Sequence, residues 1–391
     1  MKTTLLSVIL LLCNYSSAQT NEKDYTVGKT FIIRSEILGD EREIQVFTPP
    51  GYEENAAQYP VLYILDGQRY FLHAVSLQKS FIEFKQTPGF IIVGISKKRL
   101  DRNRNYSSNA EDFLSFIETE VISLIDTKYR TSKDRILFGW AYGGGFTIQA
   151  LLRNPDLFNG YIAASPFPLD DKTEGLDSLM TENASLDKFL FFSSETSKGS
   201  VIEGAQKLSA LLGSKSPKSL DWTFMKLEDE EHRSTPFATL YHGLRKYYQY
   251  YPELQFNTLE EFTEAGGLPY VYDYFRQRSE KHNFPAGLSD WTMFSLTRNA
   301  MRSNDFKQFE AFLQEFQDTD FIERLNVNRT ISIAEFYLEH SQYKEALNLI
   351  TALSIKHPNS KNILIQIGDI YTKMNDTDNA LKFYKRARAI E

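Results

Sequence analysis

Cysteine is nearly absent from this 391-residue sequence, which holds a single one, Cys13. If the first residues are removed on export, as their pattern suggests, the mature chain has no thiol. That excludes disulfides, a reactive cysteine and a zinc–thiolate site, and leaves packing as the source of stability. No metal or organic cofactor is expected. Apolar runs of membrane length are missing too: Leu5 to Leu12 falls far short of the roughly 20 residues a bilayer span needs. Basic clusters are absent, and 44 Lys and Arg against 51 Asp and Glu leave a net charge of −7. A polyanionic partner such as nucleic acid is therefore excluded.

What is present begins with an export pattern. Lys2, the apolar stretch to Leu12 and the small residues Ser16-Ser17-Ala18 form a secretory signal with cleavage after Ala18, so residues 1–18 are expected to be a signal peptide. Leu12 before Cys13 is too bulky for a lipoprotein signal. The expected location is periplasmic or secreted.

From Tyr25 to Tyr248 short β-branched or aromatic runs alternate with longer helical stretches, the pattern of a mostly parallel sheet covered on both faces. Predicted strands are Thr30 to Ile37 and Arg42 to Thr48, a hairpin across Gly39-Asp40, then Val61 to Leu65, Phe90 to Ile95, Arg135 to Gly139, Gly160 to Ala164, Phe189 to Ser193 and Trp222 to Leu227. Ala110 to Lys128 reads as one amphipathic helix, with Phe113, Phe116, Ile117, Val121, Leu124 and Ile125 on one face. Residues 249–291 read as a helical connector and 292–391 as an all-helical domain. Within it Ala334, Tyr337, Ala346 and Leu347 are matched 34 positions later by Gly368, Tyr371, Ala380 and Leu381. The spacing resembles tetratricopeptide repeats at 327–360 and 361–391, with a degenerate unit around Phe294 to Phe316. Such repeats point either to a protein partner or to a helical cap that binds nothing.

The chemistry-bearing stretch is Gly139-Trp140-Ala141-Tyr142-Gly143, a strand running into a tight turn and a helix. This turn is ordinarily G-x-S-x-G, because a nucleophilic serine sits in a strained conformation that tolerates only small neighbours. Here the central residue is Ala141, whose methyl group cannot attack a carbonyl.

With Asn154-Pro155-Asp156-Leu157-Phe158-Asn159-Gly160, Ser165-Pro166, Tyr59 to Gly67 and Tyr129-Arg130-Thr131, the elbow resembles the putative-esterase family that includes enterobactin (ferric-siderophore) esterases and esterase D-like enzymes. The resemblance covers residues 25–248. It implies an α/β-hydrolase sandwich with a mostly parallel central sheet, followed here by the helical-repeat region, and a Ser-acid-His mechanism toward esters. By that resemblance His232 takes the place of the catalytic base and Glu195 that of the orienting acid, with Asp170 and Asp171 as weaker rivals. The backbone N–H of Tyr142 and one from Gly67 or Gln68 would form the oxyanion hole, and Arg102 and Arg104 would line the substrate cleft. Asn105 stands where an aspartate is usual.

Loss of the serine in such a triad costs about a millionfold in turnover. The sequence therefore points to an impaired esterase homologue that binds a small ester or siderophore-like ligand. The alternative is a residual or unconventional hydrolase using His232 and the oxyanion hole.

Overall fold

The computed structural model describes residues 26–96, 102–182, 185–197 and 199–390, the side chains of Arg102 and Asn103 excepted. The signal-peptide expectation at 1–18 lies outside the described residues. The chain divides into two compact units, Met1–Lys79 with Gly89–Leu240, and Ser80–Pro88 with Tyr241–Glu391.

The first unit is built on an eight-stranded sheet: β1 (Lys29–Arg34), β2 (Glu41–Phe47), β3 (Tyr59–Leu65), β4 (Ile91–Ile95), β5 (Thr131–Trp140), β6 (Gly160–Ala164), β7 (Lys188–Glu195) and β8 (Leu220–Leu227). Their spatial order is β1-β2-β4-β3-β5-β6-β7-β8. The opening hairpin β1–β2 and the β2–β4 pair are antiparallel, and every later pairing is parallel. This is the mostly parallel α/β sheet expected, with helices between the strands. Val61 to Leu65 are all fully buried, as are Tyr161 to Ala164. Unbroken apolar runs of this kind mark strands covered on both faces.

The stretch 110–128 is helical throughout but not uniform. An α-helix Ala110–Phe116 passes into a π-helical segment Ile117–Ile122 and returns to α-helix at Ser123–Lys128. Phe113, Ile117, Val121 and Ile125 are all buried. Their four-residue spacing runs ahead of a 3.6-residue turn, and a widened turn brings the row back to one face.

The second unit is helical, with a core that runs from Phe256 to Ile370. Gly266 caps the helix Gly267–His282, and both Gly266 and Gly267 have positive φ. Three helix pairs follow: Asp290–Arg302 with Phe306–Glu315, Val327–Glu339 with Tyr343–Lys356, and Lys361–Lys373 with Thr377–Arg388. Each is closed by the same turn. Asn304, Ser341 and Asn375 adopt left-handed φ values of 52°, 60° and 60°. The next amide then reaches back five residues, Asp305 to Ala300 O, Gln342 to Tyr337 O and Asp376 to Tyr371 O, at 2.8–3.0 Å. These bonds satisfy carbonyls that a helix end otherwise leaves unpaired. Asp305 and Asp376 also cap the second helix of their pairs through their carboxylates.

In the last pair the Tyr384 ring lies on Gly368, so that a Cβ at 368 would stand 2.5 Å from its edge. The Tyr384 hydroxyl donates to Asp369 Oδ1 at 2.7 Å, which fixes the ring in place. Gly368→Ala is therefore expected to lower the melting temperature, at a cost of about 1–3 kcal/mol for overpacking. Gly287→Ala, where an added Cβ meets nothing within 4 Å, should leave it nearly unchanged. Circular-dichroism melts of the two variants beside the parent check the contrast.

Candidate active site

Parallel pairing places the carboxyl ends of β5 to β8 in one row. Trp140 pairs with Ala164, Ala164 with Ser193, and Glu195 with Leu227. The residues that leave these strands are thereby neighbours: Ala141 after β5, Ser165 after β6, Glu195 at the end of β7 and the His232 loop beyond β8. Open α/β sheets bind ligands at this edge.

Ala141 sits on the bend, with φ 54° and ψ −116°. Three backbone hydrogen bonds hold it there. Its N–H donates to Ala164 O at 2.9 Å, and its carbonyl accepts from Gly145 N–H at 2.8 Å and Phe167 N–H at 3.0 Å. A non-glycine residue in such a conformation stores about 1–3 kcal/mol. Both flanking glycines were expected to supply clearance, but their contributions differ. A Cβ on Gly139 would stand 2.2 Å from Gly143 O, an impossible approach, whereas one on Gly143 would make ordinary contact with Tyr106 at 3.4 Å. The helix Tyr142–Arg153 starts at once, so the amides of its first turn have no intrahelical acceptor.

Glu195 is buried, 5% exposed. Its Oε1 lies 2.9 Å from His232 Nδ1, and its Oε2 accepts from Ser165 Oγ at 2.6 Å. Burial pushes the carboxyl pKa up, but the hydrogen bonds with His232 and Ser165 outweigh it and hold it below the usual carboxylate range. An ionised carboxylate only accepts, so Nδ1 carries a proton, and in the neutral imidazole Nε2 is then the nitrogen with the lone pair. Nε2 makes no hydrogen bond among the described residues, and the His232 side chain is 40% exposed. Asp170 and Asp171 start the helix Asp170–Glu182, and the carboxylate on His232 is that of Glu195.

Three residues that the sequence did not mark for this purpose complete the arrangement. Thr235 Oγ1 lies 2.8 Å from Ser165 Oγ and 3.1 Å from His232 O, and its single proton serves one of the two at a time. Trp140 Nε1 donates to His232 O at 2.9 Å, and its ring is 5.1 Å from the imidazole. Ser165 is fully buried and turned toward Glu195. The legible signal was weak: a hydroxyl three residues after His232, and a serine closing the strand beside the elbow.

Asp66 has φ 59°, and the helix Gly67–Glu83 begins directly after it. Because β3 pairs with β5 up to Ile64 and Phe138, the first-turn amides of Gly67 and Gln68 belong to the same sheet edge as that of Tyr142. Arg104 is exposed on the short helix Arg102–Asn105. The Arg102 side chain lies outside what is described. Asn105 is buried, 2% exposed, and so does not present its side chain at the surface.

A fold with this sheet, elbow and acid–histidine pair defines an α/β-hydrolase. Residues 35–302 match the "Putative esterase" family model, more than half of the chain, and the chain belongs to that family. Among curated proteins it is similar to the ferri-bacillibactin esterase BesA of Bacillus subtilis (strain 168), 28% identical over 172 residues, or 36% of this chain and 60% of that one. A second relative from the same organism, the uncharacterized protein YbbA, is 24% identical over 32% of this chain and 56% of its own length. The chain thus spans less than two thirds of either curated relative. Among solved structures, an IroE-like serine hydrolase from Shewanella oneidensis matches with TM-score 0.54 and 24% identity, covering 74% of this chain and 99% of its own. An uncharacterised protein from Capnocytophaga ochracea DSM 7271 matches with TM-score 0.56 and 14% identity over 92% of this chain and 99% of its own. At these identities the two structures speak for the fold alone.

A carboxyl held below its ordinary value stabilises the fold above the unfolded pKa of about 4.3, and that stability is lost as pH falls through the depressed value. Glu195→Gln sets an amide where two donors converge and should cost roughly 1–3 kcal/mol at pH 7. The gap between parent and variant should close as pH falls from 5 toward 3. Thermal melts across that range provide the check; a gap independent of pH would contradict an ionised Glu195.

Proposed function

We propose that this protein is an exported esterase-family hydrolase homologue that retains its site for binding and has lost turnover. The observation that carries the reading is Ala141 on the strained bend, beside a complete Glu195–His232 pair. Attack on an ester carbonyl needs an oxygen at the bend, a base to take its proton and donors for the oxyanion. The base is His232, with the free lone pair on Nε2, and Glu195 orients it. The donors are the amides of Tyr142 and of Gly67 or Gln68. These groups are backbone or remote from position 141, so they persist whatever side chain stands there. Only the attacking oxygen is missing.

The relatives suggest the ligand class: an ester-linked siderophore or a similar small ester, by analogy with the ferri-bacillibactin esterase. Arg102 and Arg104 are assigned to the rim of the cleft. Residues 1–18 direct export to the periplasm or beyond the cell. The helix pairs at 327–360 and 361–391 are read as tetratricopeptide repeats that engage a protein partner, a reading supported by the 34-residue offset between Ser341 and Asn375 in their turns. Residues 25–248, 249–291 and 292–391 then serve as hydrolase domain, connector and docking domain.

A second reading has one observation in its favour, the uncommitted Nε2 of His232 at 40% side-chain exposure. There the imidazole would activate water directly, with the amides as oxyanion donors, giving slow hydrolysis of activated esters.

Assay of the purified chain on p-nitrophenyl esters, beside Ala141→Ser and His232→Ala, separates the two. The binding reading expects no protein-dependent turnover in the parent and a gain of at least about a thousandfold in Ala141→Ser, set against the roughly millionfold contribution of such a serine. Parent turnover abolished by His232→Ala would establish the water mechanism instead.

A further inference from the structure

The helical unit contains a cavity of about 630 Å³ that ester chemistry does not use. Its walls include Phe84, Tyr251, Phe284 and Trp291, and it is lined at one point by Arg278. A volume in this range suits a small organic ligand.

Arg278 belongs to the helix Gly267–His282 and is only 8% exposed. Its Nε donates to Tyr251 O at 3.1 Å, and its guanidinium carbon lies 3.7 Å from the Phe284 ring centre. Among the described residues it makes no ion pair. The guanidinium carries five donors, and the one hydrogen bond it makes uses the Nε–H alone. The four terminal N–H groups are thus uncommitted at the cavity wall. Glu253 acts on this guanidinium only through space and does not bond it, while burial disfavours the charge, so an anion bonded to the fork from the cavity would offset the desolvation.

The surroundings favour an anion as well. Lys85 lines the cavity, and Glu253 is the one acidic residue on its wall. Arg298 and Arg329 stand 5.4 and 5.0 Å from the Trp291 ring. His282, whose ring is 5.5 Å from that of Tyr251, is pushed down to about 4 by burial and then by Lys281 and Arg278, so it is neutral at pH 7. Trp291 is oriented by the hydrogen bond from its Nε1 to Gln255 Oε1 at 2.9 Å. Flat rings on several sides select a planar apolar body, and a guanidinium fork selects a carboxylate over a spherical anion.

From this geometry we infer that the cavity at Arg278 is a binding site for an aromatic carboxylate, with the carboxylate on the guanidinium and the ring between the aromatic walls. The inference stands apart from the ester site.

Calorimetric titration of the full chain with benzoate tests it. Saturable binding is expected, at least tenfold weaker for benzyl alcohol and for Arg278→Lys, which keeps the charge but loses the fork. Inorganic phosphate should not displace benzoate. Should Arg278→Lys melt early, Phe84→Ala substitutes for it: Phe84 is 72% exposed, and its loss should weaken benzoate several-fold without disturbing the fold. Equal binding of benzoate and benzyl alcohol, displacement by phosphate, unchanged affinity in Phe84→Ala, or no saturation would each overturn the assignment. Ala141→Ser and His232→Ala should bind benzoate as the parent does; loss in either would place the ligand at the ester site and refute a separate one.

Discussion

The bend at residue 141 is a backbone structure, and the candidate site is arranged around it. Its φ of 54° is held by hydrogen bonds from and to main-chain atoms of Ala164, Gly145 and Phe167. None of these involves the side chain at 141. A methyl or a hydroxymethyl at 141 therefore leaves the bend and the helix start equally in place. The strain at the bend belongs to φ and ψ and not to the side chain.

Behind the bend lies a chain of buried hydroxyls. Ser193 Oγ is 2.5 Å from Thr239 Oγ1, which donates to Thr235 O at 2.6 Å, and Thr235 in turn meets Ser165, the support of Glu195. Each member of a buried polar network must be satisfied, since an orphaned group costs about 1–3 kcal/mol. Here the network ties the ends of β6 and β7 to the segment after His232 and fixes the imidazole from below. Desolvation raises the pKa of Glu195, and hydrogen bonding from His232 and Ser165 outweighs it and lowers the pKa below the usual carboxylate range.

The helical unit obeys a different rule. Its core is rich in phenylalanine and tyrosine, and its helix pairs are turned by left-handed residues at Asn304, Ser341 and Asn375. Asparagine adopts that conformation readily because its short polar side chain bonds locally. The same turn recurs in all three pairs, followed in the first and third by capping carboxylates at Asp305 and Asp376.

Several features were determined locally and are legible in the residues themselves. Unbroken apolar runs reported strands buried on two faces, so β6 at Gly160–Ala164 falls where the sequence predicts it. Gly139 beside Ala141 reported a backbone approach too close for any side chain. The periodic 34-residue offset placed the paired helices. Other features depended on register between distant segments, which no local pattern encodes. Ser165, Thr235 and Trp140 meet at His232 only because β5 to β8 are parallel and aligned end to end. Phe113 to Ile125 read as a plain α-helix, and only packing of its apolar row drew one turn into π geometry. No local pattern marks Arg278; its burial against Phe284 and Tyr251 was decided by residues about 30 positions away or nearer folding back upon it. Sequence fixes what each segment buries, through short-range sterics and periodicity, whereas the meeting of side chains across the fold is set by long-range packing.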